Sequence, residues 1–416
     1  MTPATANSRL ATLDAVRGVA VLGILLLNII DFAMPSYAYV DPHYYGGATG
    51  ANWAAWAINY VLFDGKMRGL FTMMFGASTV LIAETALAKG ESPARVHYAR
   101  MASLFGFGMV HAYLIWAGDI LVLYAVCGAV AFAAWRWRPP LLLSVGIFLL
   151  LFKLVNGVTG YTQLHAIESA AHAPGATAEA RKTWTDLQPD LAPPPAAAQA
   201  DLDAYRGGYT QALAARIPFA WFMQSVAGLQ SVPDTIALML IGMALYRLGF
   251  FSGAWSRRTY WWIAIGGYLA CVPLYLPLIA WLDATRFSGV TITATDAIHL
   301  SVLRPFLSLA DASLVILFVR SGTVRWLQSR LIATGRTAFS NYLGTSIVCT
   351  LIFNGYGLGL YGHLTRWQCY IVVAGMWLLM LLWSKPWLAR FKYGPFEWAW
   401  RSLARGRAQP MRGAAA

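Results

Sequence analysis

The stretch FGMVHAYLIWAGDILVLYAV, residues 107–126, is apolar almost throughout yet keeps one histidine, His111, and one carboxylate, Asp119. Histidine takes and gives a proton near neutral pH, which suits a general base acting on a hydroxyl or amine. A carboxylate nearby is the kind of group that orients such a base. Gly118-Asp119 reads as a tight outer turn between two helices, with His111 about two turns (~12 Å) deeper. Within one helix the pair would stand about 80° apart, so direct contact is not required. A turn-capping Asp119 and a hydrogen-bonded core histidine are the ordinary alternatives.

Other polar groups stand where apolar ones are expected. A charge inside a membrane span costs roughly 2.5–3.5 kcal/mol on insertion scales, which makes each one a functional candidate. Asp14 and Arg17, three apart in TLDAVRG, meet on one helix face. Arg304 and Asp311, seven apart in LRPFLSLAD, share a face as well. Each pair can neutralise itself, and an ion pair that only fixes helix packing is the plain alternative. Asp64, Lys66 and Arg68 gather at the mouth of a span, where snorkelling to the interface accounts for them. Ser340, Asn341 and Tyr342 open another span, where hydrogen bonds between helices are the usual role. Among the other histidines, His43 in an outer loop is placed to serve an outer mouth. His165 and His172 fall in a long loop, His363 in a short one, His97 on the cytoplasmic side, and His299 at the start of a span.

The elements that position these residues follow from composition. The chain has 416 residues, 58% hydrophobic and 12% charged, against about 25% charged for an average soluble domain. Its continuous apolar runs reach the length of about 17–20 residues that crosses ~30 Å of hydrocarbon. Barrel strands would alternate in segments of about ten residues instead. The class is an all-α integral membrane protein, a bundle of about ten transmembrane helices. They are expected at 13–34, 67–88, 101–117, 119–135, 141–159, 217–246 with a break, 260–282, 298–319, 337–354 and 367–384. A shorter piece, NWAAWAINYVLF at 52–63, fits the outer interface. Domains divide as 1–159, an Ala/Pro-rich extracytoplasmic loop at 160–215, flexible or partly helical, a second helical half at 216–400, and a basic tail at 401–416.

Orientation follows from the basic residues. Arg9, Lys89, Arg95, Arg100, Arg136, Arg138, Arg247, Arg336 and a tail from Lys385 to Arg412 fall on one side, against Glu91 and Glu397. Both termini are therefore expected in the cytoplasm, and the net charge of +13 is a topology signal that calls for no nucleic acid. A retained first span fits better than a cleaved signal peptide, because Asp14 and Arg17 lie inside the run. The four cysteines are scattered, without metal-ligand spacing or a disulfide framework. No metal is expected.

The opening RLATLDAVRGVAVLGILLLNI resembles that of the YeiB family of bacterial membrane proteins. The resemblance continues, in order, through KMRGLFTMMFGA, FGMVHAYLIWAGDILVLYAVCG, GRTAFSNYLGTSIVCTLIF and GPFEWAWRSL. It implies a multi-pass protein of the bacterial inner membrane. The first span is also similar to that of the wider transmembrane acyltransferase superfamily. This second resemblance implies transfer of an acyl group from cytoplasmic acyl-CoA, such as acetyl-CoA, to a saccharide or lipid acceptor across the membrane. Arg17 and Gly18 match the superfamily's Arg-Gly. Acyltransferase-3 proteins place a histidine where this chain has Asn28, whereas an asparagine there agrees with the glucosaminide acetyltransferase branch, whose base lies in the following loop. His43 is the histidine of that loop, so the base is His111, His43, or absent.

On the enzyme reading, Arg17, Arg100 and Arg336 would hold the phosphates of CoA. Asn28 or Asn341 would donate to the developing oxyanion. The expected partners are the lipid bilayer, the acyl donor and acceptor, and a second copy in a homodimer. A small-metabolite transporter is the alternative, with the pairs Asp14/Arg17 and Arg304/Asp311 as coupling or gating charges and Lys66 among the substrate-binding candidates. A lipid-binding scaffold or sensor is the third reading.

Overall fold

The computed structural model describes residues 6–412, without the side chains of residues 6–10 and 190. The Arg9 side chain and tail residues 413–416 lie outside the described residues. Every regular element among the described residues is helical. The first half of the chain holds α1 (Ala6–Ala33), α2 (Gly50–Leu62), α3 (Lys66–Ala88), α4 (Pro93–Val110), α5 (Leu121–Ala131) and α6 (Pro139–His172). Then come α7 (Ala178–Leu191), α8 (Pro195–Arg206), α9 (Tyr209–Gln224), α10 (Val226–Arg247) and α11 (Arg257–Ala284). The last third holds α12 (Gly289–Ile298), α13 (Arg304–Ser321), α14 (Arg325–Arg336), α15 (Ala338–Phe353), α16 (Arg366–Arg390) and α17 (Pro395–Ala404).

Seven helical stretches among the described residues are long and apolar enough to cross a membrane. They include Ala11–Ala33 of α1, the run Gly50–Ala88 through α2 and α3, α6, α10, α11, the run Gly289–Ser321 through α12 and α13, and α16. Leu121–Ala134 and α15 are shorter apolar helices. Burial sorts centre from rim: 78% of the α1 window is buried, against 17% for α6 and 22% for α11 and α16. The rim helices expose rows such as Phe148, Val155, Leu269, Leu276, Ile371 and Leu378, the apolar surface that lipid covers at no cost.

Side chains set the helix starts. Ser92 accepts from the Arg95 N–H at 3.4 Å with Pro93 in the first turn, and Thr365 with Gln368 forms a capping box. Small residues set the closest crossings. A Cβ on Gly76 of α3 would lie 2.0 Å from the Met239 carbonyl oxygen of α10, and one on Gly242 of α10 would lie 2.0 Å from that of Met73. The two backbones touch there because neither residue has a side chain.

The segment 160–215 takes the helical alternative over most of its length. α6 runs on to His172, and α7, α8 and the first half of α9 follow with short connections. Proline starts helices here: Pro195 occupies the first turn of α8, where its missing N–H has no partner to lose. The break expected within 217–246 falls at Ser225, between α9 and α10. The basic connections converge on one end of the bundle, where Arg405 pairs with Glu91 at 3.1 Å and the Trp400 indole donates to the Arg100 carbonyl at 2.9 Å. The opposite end is closed by α8 and the loop after α15, with the Gly355 N–H donating to the Tyr205 carbonyl at 2.8 Å.

Candidate functional site

His111 and Asp119 meet. Nδ1 of His111 lies 2.7 Å from Oδ1 of Asp119, with side-chain exposures of 1% and 0%. The contact exists because α4 does not continue straight. After Val110 the chain widens into a π-turn over His111–Ile115 and then unwinds until Leu121, so Asp119 folds back onto the histidine. The second carboxylate oxygen accepts from the Val122 N–H at 2.9 Å and caps α5. Capping and orienting are thus done by the same residue. Nε2 of His111 has no hydrogen-bond partner. The ring packs against Tyr342 (centroids 5.2 Å apart) and Trp116 (6.0 Å), and the Tyr342 hydroxyl accepts from the Ile120 N–H at 3.3 Å.

A second constellation occupies the middle of the bundle. Asp234 of α10 accepts from Lys153 of α6 at 2.6 Å, Arg304 of α13 at 2.7 Å and Arg68 of α3 at 3.3 Å. Arg304 therefore pairs with Asp234, 70 residues away, and not with Asp311 as their spacing suggests. Asp311 accepts from the Tyr268 hydroxyl through one oxygen, and its other oxygen has no partner. Spacing fixes the helix face but not what faces it. Nor does Lys66 snorkel to the interface: it is fully buried, its ammonium donates to the Tyr60 carbonyl at 2.5 Å, and it lies 4.3 Å from the Tyr275 ring centre. Asp64 accepts from the Tyr39 hydroxyl at 2.8 Å and stands 4.0 Å from Nε2 of His299. His299 opens the second π-turn, His299–Leu303, about a third of the way along the α12–α13 run rather than at its start.

The first-span motif is a local structure. Arg17 donates to Asp14 at 2.9 Å and to the Ser78 hydroxyl of α3 at 2.9 Å. Gly18 lets α1 touch α14, since a Cβ there would stand 2.2 Å from the Leu331 carbonyl oxygen. Arg336 is exposed at the same end, within charge–charge range of Asp14. Arg100 lies within such range of Arg17, Arg401 and Arg405, and stacks 4.1 Å above the Trp400 ring. Asn341 is occupied: its amide donates to the Thr334 carbonyl and Thr337 hydroxyl, and its oxygen accepts from Trp383 at 2.8 Å. It has no donor to spare for an oxyanion. Its neighbour Ser340 donates to Glu397 of α17, which also accepts from the Phe339 N–H at 2.7 Å. Burial raises the Glu397 carboxyl above its ordinary range, against the pull of these donors.

His43 sits apart from His111, with 45% side-chain exposure, beside Asp41 at 3.2 Å and near Trp53 and Phe287. Asn28 is half-buried on α1, one turn before Asp31. Two cavities complete the picture. An apolar slot of about 300 Å³ runs beside α1 past Val19, Leu22, Gly23 and Leu26, with Asp311 in its wall. A polar one of about 80 Å³ lies at the end opposite the basic loops, around Asp31, Asp201 and Arg216. Sequence reading passed over Asp31, Lys153, Arg216 and Asp234. Each is a lone charge in an apolar run, and that loneliness was the available signal.

Fold and buried polar groups together define a polytopic helical membrane protein. Residues 245–407 match the family described as "Protein of unknown function (DUF418)". The chain is 32% identical to "Uncharacterized protein YeiB" of Escherichia coli K12 over 97% of its own length and 98% of the relative's. It is 29% identical to "Uncharacterized protein YxaH" of Bacillus subtilis 168, with 98% and 97% covered. A protein from Bacillus acidopullulyticus, described as an uncharacterized 39.9 kDa protein in the amylase 3′ region, is 24% identical over 99% and 98%. The chain belongs to the YeiB family.

Proposed function

We propose that this protein is a membrane-embedded acyltransferase that takes an acyl group from acyl-CoA on the cytoplasmic side and delivers it to an acceptor from the other side or from the membrane. The observation that carries the reading is the His111–Asp119 dyad with its unpartnered Nε2. With Asp119 ionised, the Nδ1 proton is donated to it and Nε2 holds the lone pair. Nε2 then removes the proton of an acceptor hydroxyl or amine as that atom attacks the thioester carbonyl. The tetrahedral intermediate collapses with loss of the CoA thiolate, and the proton on Nε2 passes to the sulfur. Arg100 and Arg336 at the basic end supply guanidinium groups for the CoA phosphates, and Arg17, whose two Nη groups serve Asp14 and Ser78, adds positive charge beside them. The apolar slot runs along α1 from Val19 to Leu26, on a different face from Arg17, and Leu26 stands about 9 Å along the helix axis from Phe32. Phe32 packs at a tilt against Trp116 next to His111, with centroids 4.3 Å apart. That slot is room for the acyl arm. The topology that goes with this reading has ten spans in the inner membrane and both termini in the cytoplasm, with α4, α5 and α15 crossing as shorter partners of the seven long helices.

The test is binding and turnover of acetyl-CoA by the protein in nanodiscs, with thiol release as the readout. His111→Ala should keep CoA binding and lose about 10²–10⁴-fold in thiol release, with Asp119→Asn reduced in the same direction. His43→Ala should leave turnover unchanged, and loss there instead would move the base to the outer loop. Absence of CoA binding in the wild type would sink the acyl-transfer reading.

A second reading rests on a different observation, the ring of cations on Asp234 among interrupted helices. Broken helices around midplane charges are a feature of transporters. Solute movement in sealed vesicles, unaffected by CoA, is the result that would favour it.

A further inference from the structure

The cavity of about 80 Å³ at the end opposite the basic loops contains charges that neither reading uses. Asp31 comes from the last turn of α1, Asp201 and Tyr205 from α8, Arg216 from α9, and Trp116 from the unwound stretch before α5. One oxygen of Asp31 accepts from the Trp116 indole at 2.8 Å, and Asp201 stands close enough for the two carboxylates to repel each other. Arg216 is 1% exposed; its Nη1 donates to the Leu114 carbonyl at 2.8 Å, and its Nη2 has no partner. Among the described residues it makes no ion pair with either carboxylate. A buried guanidinium and two carboxylates thus line one small space without neutralising each other. Such an arrangement is unfavourable by itself, and it is relieved by a molecule that carries both charges.

We propose that this cavity binds a small zwitterion, a primary ammonium joined by a short spacer to an acid group. The ammonium lies toward Asp31 and Asp201, and the acid group takes the free Nη2 of Arg216. Size agrees: at about 10–15 Å³ per water-sized site, this volume holds roughly five to eight non-hydrogen atoms. A free α-amino acid as small as alanine and the phosphoethanolamine headgroup of a lipid share that chemistry and that range. The inference does not rest on acyl transfer, since Asp31, Asp201 and Arg216 have no role in that reaction, although Trp116, which holds Asp31, also packs beside His111.

The experiment is calorimetric titration of the full chain in phosphatidylcholine–phosphatidylglycerol nanodiscs with alanine, phosphoethanolamine, ethylammonium and propionate. Alanine or phosphoethanolamine should bind at least about tenfold more tightly than the two singly charged probes, the loss expected when a charged hydrogen bond goes unmade. Arg216→Gln should weaken the zwitterion about tenfold and leave ethylammonium unchanged, whereas Asp31→Asn should weaken both. That split is a pattern that misfolding does not produce. Repeating the titration with phosphatidylethanolamine in the disc separates the sources: suppressed binding identifies the headgroup, and unchanged binding identifies the free amino acid. Ethylammonium binding as tightly as alanine, or no binding of either zwitterion to the wild type, overturns the proposal.

Discussion

Asp234 accepts from Lys153, Arg304 and Arg68 at 2.6, 2.7 and 3.3 Å, so three positive charges share one buried carboxylate. Removing it leaves cations in an apolar interior, and breaking a buried pair typically costs about 3–5 kcal/mol. Asp234→Asn should therefore lower the melting temperature of the detergent-solubilised protein sharply. Lys153→Met should cost less, because Lys153 retains 17% side-chain exposure and its loss leaves Asp234 two arginines. Thermal melts of both variants check the order. Wild-type melting of Asp234→Asn would show that the network does not hold the helices together. At this scale the sequence was legible where partners are neighbours on one helix. Asp14 and Arg17 could be paired from their three-residue spacing. Arg304 could not be paired with Asp234, because no periodicity links positions on different helices.

Elements explain the next layer of what could and could not be read. The apolar runs placed α3, α11 and α15 to within a few residues. By contrast, α4 lies at 93–110 instead of 101–117, the α12–α13 run begins nine residues before 298, α16 continues six residues past 384, and α6 extends outward from 159 to His172. Hydrophobicity reports burial in lipid, and that extension leaves the run. His111 and Asp119 were paired from their chemistry, and only the means of their contact escaped: it needs a π-turn and an unwound stretch, which regular helical geometry does not supply. The close crossing of α3 and α10 was also silent, since a glycine that packs against a backbone looks the same in sequence as one that packs against nothing. The structure distinguishes them. A methyl group on Gly76 or Gly242 would meet a carbonyl oxygen at 2.0 Å, whereas one on Gly266 of α11 meets nothing within 4 Å. Gly76→Ala and Gly242→Ala should each destabilise by about 1–3 kcal/mol through overpacking. The double variant should fall short of their sum, because the first substitution already spreads the crossing that the second would spread. Gly266→Ala should be neutral or stabilising by up to about 1 kcal/mol, as expected for alanine in an exposed helix interior. Equal losses at all three positions would mean that the crossing is not set by its glycines.

For the whole molecule, charge and shape must agree on which way the bundle sits. The basic connections gather at one end, tied by Arg405 to Glu91 and by Trp400 to the Arg100 backbone. α8 and α9 line the cavity of Asp31 and Arg216 at the other end, where the end of α7 meets Tyr37. The positive-inside rule makes the first end the expected cytoplasmic one, and the proposed chemistry depends on that, because CoA is presented there while the dyad lies toward the far side. Orientation can be measured without touching either site. Lys182 on α7 carries a side chain 75% exposed, and Lys89 is exposed in the turn between α3 and α4. The four native cysteines are buried, so the unsubstituted protein should give little background. A membrane-impermeant maleimide applied to intact cells should label Lys182→Cys at once and Lys89→Cys only after the membrane is opened. The reverse pattern would put the guanidinium cluster outside, where it could not meet cytoplasmic acyl-CoA, and acyl transfer in the proposed direction would fail with it. The zwitterion cavity would then face the cytoplasm with its geometry intact, so this measurement also decides which pool of amino compounds the cavity samples.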